Sequence, residues 1–178
     1  MSNLQALRQR LPAAITLALR LQDERDGAFL RALYVSRRWA EVSAAPGLSD
    51  AQRLAFLHSQ AELQQQHYTR HYPDADFFII EQQGQPAGRL CLLLGADEAR
   101  IVDIALLPEW QATGNGSALI QAVLALTDAR AQACCLSVDI MNPAQRLYAR
   151  LGFVTCGQQG PYLQMRRAVG NHDQHRQE

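Results

Sequence analysis

The sequence predicts an α/β (α+β) chain built on a mixed, mostly antiparallel sheet of about seven strands flanked by about four helices. Three observations carry that prediction. Three strand-like runs follow one another between residues 76 and 107, separated by short polar turns, which is the signature of an antiparallel meander. A glycine-containing turn and an amphipathic run then lead to another apolar run at 131–140, so this strand lies parallel to the last of the meander through a helical crossover. The chain closes with a helix and two further short strand runs. A length of 178 residues suits one full-sized core, read here as a domain over 1–169 with a polar, frayed tail at 170–178.

Residues 1–12 are polar and basic with a few leucines and read as a short helix or leader. Ala13 to Leu21 alternates as a strand, with Ile15, Leu17 and Leu19 on one face. Asp23, with Asp26 three residues on, marks a helix start, and Phe29, Leu30, Leu33 and Tyr34 recur at helical spacing to about Ala40. Ala44-Ala45-Pro46-Gly47 breaks that helix. Ser49-Asp50 opens a second, running to His71 with Leu54, Leu57, His58, Ala61 and Gln65 along one face. The meander comprises Asp76–Gln82, Pro86–Gly95 and Ala99–Leu107, with Gln83-Gly84-Gln85 as a hairpin turn and Pro108 as the stop. A helix starts at Ser117. Asn142-Pro143 opens another, in which Ala144, Leu147, Tyr148 and Leu151 form the apolar stripe and Gly152 is the C-terminal cap. Phe153–Cys156 and Tyr162–Arg167 form the last hairpin.

Composition excludes several classes. Arg and Lys total 17, Asp and Glu total 17, and the pI is near 7.0, so no basic surplus exists to attract nucleic acid or an anionic membrane. No apolar run approaches the ~20 residues a membrane helix needs, and no secretory leader is evident. Cys91, Cys134, Cys135 and Cys156 lack metal spacing; Cys91 and the adjacent pair sit in runs read as buried strand. His172 and His175 are too isolated to argue for a metal. The expectation is a cytoplasmic protein without a metal.

The stretch that carries chemistry is Gln111-Ala112-Thr113-Gly114-Asn115-Gly116-Ser117. The first turn of a helix has unpaired N–H donors and the positive end of the macrodipole, which suits a phosphate. Glycine also allows left-handed backbone angles and close approach of a ligand. Locally, a ligand-free tight turn is the equal alternative. No Lys follows the glycines, which argues against a P-loop, and the preceding meander argues against a dinucleotide-binding βαβ unit.

The order of elements and two motifs together resemble the GNAT superfamily of N-acetyltransferases. The run Leu107-Pro108-Glu109-Trp110-Gln111-Ala112-Thr113-Gly114-Asn115-Gly116 is similar to that family's acetyl-coenzyme A signature, Q/R-x-x-G-x-G/A. The run Asn142 to Phe153 (NPAQRLYARLGF) is similar to its N-x-x-A-x-x-L-Y-x-x-x-G-F, one residue shorter between Asn142 and Ala144. Ala112 stands where glycine is common, and Gln111 where Arg is.

The resemblance implies a sheet splayed at the acetyl-coenzyme A site and a role for each matching residue. Backbone N–H groups from Gln111 through Ser117 (Gln111, Ala112, Thr113, Gly114, Asn115, Gly116, Ser117) would hold the pyrophosphate. Backbone at Ile104 and Leu106 would pair with the pantetheine arm like an added strand, and Asn142 would hydrogen-bond that arm. Tyr148 would be the general acid that protonates the departing sulfur; by spacing alone it is a core tyrosine. Asp103, facing opposite Ile104 and Leu106, would bind the amine or take its proton; the preferred alternative is an ion pair with Arg89 or Arg100. Glu81 is a second carboxylate with the same ambiguity.

The implied reaction is acetyl transfer from acetyl-coenzyme A to a primary amine of a small molecule or peptide by direct attack. The competing reading is a non-catalytic acyl-coenzyme A sensor or structural module on the same fold. Arg37, Trp39, His67, Tyr68 and Tyr72 are candidates to line the acceptor pocket. Dimerisation is common in such folds, so a homodimer is compatible with this one.

Overall fold

A computed structural model describes residues 1–170. Leu7, Leu17, Leu19, Phe78, Ile80, Leu90, Leu92, Ile101, Leu119, Ile120, Val123, Leu136, Tyr148, Phe153 and Met165 belong to one buried cluster, which lies between a seven-stranded sheet and the helices on one of its faces. The elements are α1 (Asn3–Arg8), β1 (Leu17–Leu21), α2 (Gly27–Ser43), α3 (Asp50–His71), β2 (Asp76–Gln82), β3 (Gln85–Leu94), β4 (Glu98–Leu106), α4 (Asn115–Ala129), β5 (Ala133–Asp139), α5 (Gln145–Arg150), β6 (Val154–Gln159) and β7 (Tyr162–Arg167). The strand order is β1-β2-β3-β4-β5-β7-β6, and β4–β5 is the parallel pair. The mixed sheet and the parallel crossover match the sequence expectation, and α1 is the short helix that is one of the two readings of residues 1–12.

Local chemistry accounts for the boundaries. Ser2 and Gln5 form a reciprocal cap that starts α1, and Leu7 is fully buried. Arg8 holds α1 to β1 by donating to the Leu19 carbonyl at 2.6 and 2.9 Å. The strand expected from Ala13 forms only from Leu17, because a turn follows Pro12 and closes through Ile15 N–H to the Pro12 carbonyl. Asp23 and Asp26 do form the expected reciprocal cap, on a 3-10 turn (Glu24–Asp26) that leads into α2. Ser49 and Gln52 cap α3 in the same way. Gln83 and Gly84 both have positive φ (52° and 75°), the conformation of a two-residue hairpin turn.

Alternation assigns two different environments to the sheet faces. Phe78, Ile80, Leu90 and Leu92 join the main cluster with α1 and α4, whereas Ile79 and Cys91 are buried outside that cluster. Arg89 and Asp103 meet side chains from α2 and α3 on this second face. One feature of β4 breaks the alternation. Cys91 pairs with Asp103 but Leu92 pairs with Ile101, so Val102 is an extra residue, a β-bulge. Ile101 therefore packs in the main cluster, and Ile104 and Leu106 pack against it, while Asp103 points to the face of α2 and α3.

Among the described residues no helix is long and apolar enough to cross a membrane. The four cysteines are free thiols, with Cys91, Cys134 and Cys135 buried and Cys156 exposed. Gly170, the first residue of the stretch read as a tail, donates to Asp128 at 2.7 Å. The rest of that stretch, with His172 and His175, lies outside the described residues.

Candidate active site

The glycine turn adopts a conformation that leaves backbone donors open. A 3-10 turn at Pro108–Trp110 follows β4, and the chain then passes through Ala112 (φ 55°) and Gly114 (φ 84°) into α4. Gly114 is the N-terminal cap of α4, so no side chain bonds back to the first turn. The first rung of the helix ladder runs from Ala118 N–H to the Gly114 carbonyl at 3.0 Å. The N–H groups of Asn115, Gly116 and Ser117 precede it, which is the donor set an anion needs. The helix starts two residues earlier than its apolar pattern indicated, because Asn115 and Gly116 complete its first turn. Thr113 Oγ1 donates to the Trp110 carbonyl at 2.9 Å, and Gln111 Nε2 to the Leu106 carbonyl at 2.9 Å. These two bonds brace the turn from inside.

The parallel pair that precedes this turn is open at one end. β4 is in register with β5 only from Glu98 opposite Ala133 to Ile101 opposite Leu136. β4 continues to Leu106 and β5 to Asp139, so from Val102 onward the two diverge. Ile104 and Leu106 lie on the diverging edge. On the far side of the opening, Asn142 accepts from Ala144 N–H at 2.9 Å through Oδ1 and so forms the turn before α5. The helix is regular only from Gln145, later than the Asn142-Pro143 start expected. It ends as expected: Gly152 has φ 91°, Phe153 N–H bonds the Tyr148 carbonyl and Gly152 N–H bonds that of Ala149, a Schellman motif.

On the α2/α3 side of the opening lies a charged cluster. Asp103 accepts from Arg89 Nη2 at 2.5 Å and Nε at 3.1 Å on one oxygen, and from Arg37 Nη1 at 3.2 Å on the other. Arg89 also donates to Gln64 at 2.8 Å and Gln65 at 3.2 Å, and its guanidinium lies 5.3 Å from the centre of the Tyr68 ring. Burial pushes the Asp103 carboxyl upward, but the two guanidiniums outweigh it and hold it below the ordinary carboxylate range. Asp103 is therefore ionised and has both oxygens engaged. Of the two partners considered from sequence, Arg89 is present; Arg100 instead reaches Ser137 at 3.4 Å, and Arg37 takes its place. Glu81 is committed elsewhere, to Arg20 at 2.8 Å.

Tyr148 is buried in the main cluster, edge-on to Phe153 with ring centres 5.8 Å apart. Its phenol is pushed up to about 12, first by burial and then by the negative charge of Asp103, with Arg37 opposing. Tyr148 is thus both the core tyrosine its spacing suggests and a group electrostatically coupled to the Asp103 cluster. Burial likewise raises Tyr68.

Among the acceptor-pocket candidates, Arg37 and Tyr68 reach this cluster, and Tyr72 packs edge-on against Tyr68. His67 is exposed and stacks on His71 at 4.0 Å. Trp39 lines a separate cleft of about 590 Å³ between α2 and α3, bounded by Arg31, Val35, Leu54, His58 and Pro108. Gln64 and Gln65, which the sequence marks at most as part of the α3 face, join the cluster through Arg89. Their signal is the run of three glutamines, Gln64 to Gln66, two of which supply acceptors to Arg89.

Comparison with known proteins agrees with this geometry. Residues 73–155 match the family model of an acetyltransferase (GNAT) domain. A Bacillus subtilis (strain 168) protein assigned as a ribosomal protein bS18 alanine N-acetyltransferase is 33% identical over 82 residues, 45% of this chain and 54% of the relative. The chain thus spans about half the length of that relative. The PaiA N-acetyltransferase of Thermoplasma acidophilum, solved with coenzyme A, superposes with a TM-score of 0.63 at 17% identity, over 86% of this chain and 99% of that one. RimL, a ribosomal L7/L12 α-N-protein acetyltransferase solved with coenzyme A, gives a TM-score of 0.61 at 19% identity, over 89% and 97%. At these identities the two structures show the fold. Residues 73–155 are thus similar to a GNAT acetyltransferase domain, and the chain shares its fold with solved N-acetyltransferases.

Proposed function

We propose that the protein transfers the acetyl group of acetyl-coenzyme A to a primary amine of a small molecule or peptide by direct attack. The observation that carries the reading is the opening between β4 and β5, with the glycine-capped start of α4 following β4 and Tyr148 on α5 following β5. Backbone N–H groups from Gln111 through Ser117 would hold the pyrophosphate. Ile104 and Leu106 supply the strand edge for the pantetheine arm; at Leu106 the ligand would displace or accommodate the Gln111 amide that now bonds its carbonyl. Asn142 has its Oδ1 engaged by Ala144 N–H, which orients its NH₂ group as the donor for the same arm.

The chemistry follows from the charge states. A neutral amine attacks the thioester carbonyl, and the tetrahedral intermediate expels a thiolate. Tyr148 is protonated across the working pH range, so it can always donate to sulfur. Its phenol, at about 12, is a weaker acid than a thiol of ordinary pKa ~8.5. Tyr148 therefore stabilises the leaving thiolate by donating a hydrogen bond during expulsion and keeps its proton, the thiolate leaving as such or taking a proton from water. Asp103, held ionised by two arginines, is a poor base; it fixes Arg37 and Arg89, and the amine loses its proton to water. The two relatives named for ribosomal-protein acetylation make a peptide α-amine a reasonable acceptor class alongside small amines.

Titration calorimetry with acetyl-coenzyme A, paired with thiol release over a panel of amines, tests the proposal. The expected result is saturable binding and amine-dependent thiol release that falls sharply in Tyr148→Phe. Binding without release from any amine would instead support the sensor reading. The chain contains no lysine, so self-acetylation of lysine side chains does not contribute to the signal.

A further inference from the structure

We propose that the acceptor amine carries a carboxylate, and that Arg37 is the residue that selects it; this rests on the acetyltransferase reading. The argument starts from a charge count. Asp103 is the one carboxylate that forms a salt bridge with Arg37 or Arg89 among the described residues, so two guanidiniums share one anion, leaving 2 − 1 = +1. The excess does not sit on Arg89. That side chain is only 6% exposed and spends its donors on Asp103, Gln64 and Gln65, with the Tyr68 ring beside it.

Arg37 differs on each count. Its side chain is 33% exposed, and its single hydrogen bond among the described residues is the 3.2 Å contact from Nη1 to Asp103. A guanidinium has five N–H donors in a planar fork, so most of this one's capacity is open. The fork matches a carboxylate in two-point geometry, and partial burial strengthens such a pair over one in bulk water. Position completes the case. Arg37 on α2 reaches Asp103 on β4, two residues past the last β4–β5 pair at Ile101, so its guanidinium stands on the α2/α3 side of the opening. A carboxylate docked on Arg37 balances the excess charge and places the amine of the same molecule at the opening. If Arg37 served only to clamp Asp103, its replacement would lower stability without altering discrimination among amines.

The test compares amines that carry a carboxylate with partners in which it is a carboxamide: β-alanine with its amide, and the C-terminally amidated dipeptides Ala-Asp-NH₂ with Ala-Asn-NH₂ and Ala-Glu-NH₂ with Ala-Gln-NH₂. Rates are expressed per concentration of free amine. A charge-assisted pair predicts kcat/KM about tenfold to a hundredfold higher for the carboxylate members, mostly through KM. Arg37→Met should bring that ratio close to one, and Arg37→Lys should retain part of it; the Lys variant also serves where the Met variant does not fold. Calorimetry with the same compounds reads binding without turnover. A wild-type ratio near one in both measurements, or a ratio unchanged in Arg37→Met, overturns the selection. Carboxylate-selective binding without thiol release from any amine upholds it and overturns the acetyltransferase reading instead.

Discussion

Replacing Asp103 by Asn probes the charged cluster on the α2/α3 side of the opening. Asn keeps the volume and one carbonyl oxygen but removes the one carboxylate that pairs with Arg37 and Arg89 among the described residues. The Asp103 and Arg89 side chains are 8% and 6% exposed, so neither is rescued by water where it stands. Breaking a buried pair by removing one partner costs about 3–5 kcal/mol. Two observations move the expectation to the lower end. Arg37, one-third exposed, can turn toward solvent, and Arg89 keeps its bonds to Gln64 and Gln65. The expected loss is therefore about 3 kcal/mol, or roughly 6–12 °C in Tm for a chain of this size. Urea unfolding at neutral pH measures it. The folded pKa of Asp103 is depressed, so its contribution is present above the unfolded carboxylate value and is lost as pH falls through the folded one. The gap between wild type and Asp103→Asn should thus close in acid, below the ordinary carboxylate range. A second variant separates charge from packing: Asp103→Leu with Arg89→Met should cost less than Asp103→Asn alone. A loss under about 1 kcal/mol at neutral pH, or a gap that persists in acid, would refute the buried-pair account.

Tyr148→Phe should lower kcat about a hundredfold or more while leaving acetyl-coenzyme A affinity nearly unchanged, measured by thiol release and calorimetry. Because the phenol titrates at about 12, the wild-type rate should rise with pH as the amine deprotonates, and Tyr148 should add no descending limb across the assay range. The positive φ of 84° at Gly114 makes Gly114→Ala cost about 1–2 kcal/mol, whereas Ala112→Gly, at φ 55°, should relieve similar strain against about 0.4–1 kcal/mol of chain entropy and come out neutral to slightly stabilising in urea melts. In Gly88→Ala the new Cβ would lie 2.2 Å from the Ala105 carbonyl oxygen, forcing β3 and β4 apart; a loss of about 3 kcal/mol with weakened acetyl-coenzyme A binding is expected.

Most of the sheet was legible because its signals are local. β2 to β5 fall within two residues of their expected bounds, since Gly84, Pro108 and the apolar runs punctuate them directly. The caps at Asp23, Ser49 and Gly152 were readable for the same reason. Less legible were the starts of α4 and α5, where glycine, asparagine and proline lie inside or beside a helix that backbone hydrogen bonds define and composition does not. At the site, the donor turn and Tyr148 were singled out by the motifs that carry the family resemblance; spacing alone made Tyr148 a core residue, as its burial shows. The partner of Asp103 was not, because Arg37 lies 66 residues away and only the crossing of α2 over the sheet brings them together. The nearer partner, Arg89, is one of the two arginines that the sequence offered.

The bulge at Val102 joins these halves of the site. Ile101 opposite Leu136 is the last pair of the β4–β5 ladder, and Val102 is the very next residue. An added residue bends its strand and increases local twist, which turns β4 away from β5 where the opening begins. The same residue resets the alternation. Without it, Ile101 and Asp103 would share a face, and the carboxylate would point into the apolar cluster of Leu119, Ile120 and Val123, where no arginine waits. With it, Ile104 and Leu106 continue the apolar lining while Asp103 meets Arg89 and Arg37 on the opposite face. One inserted position thus stands where the β4–β5 ladder ends and turns Asp103 toward Arg89 and Arg37, so the opening and the charged cluster share a single irregularity in β4.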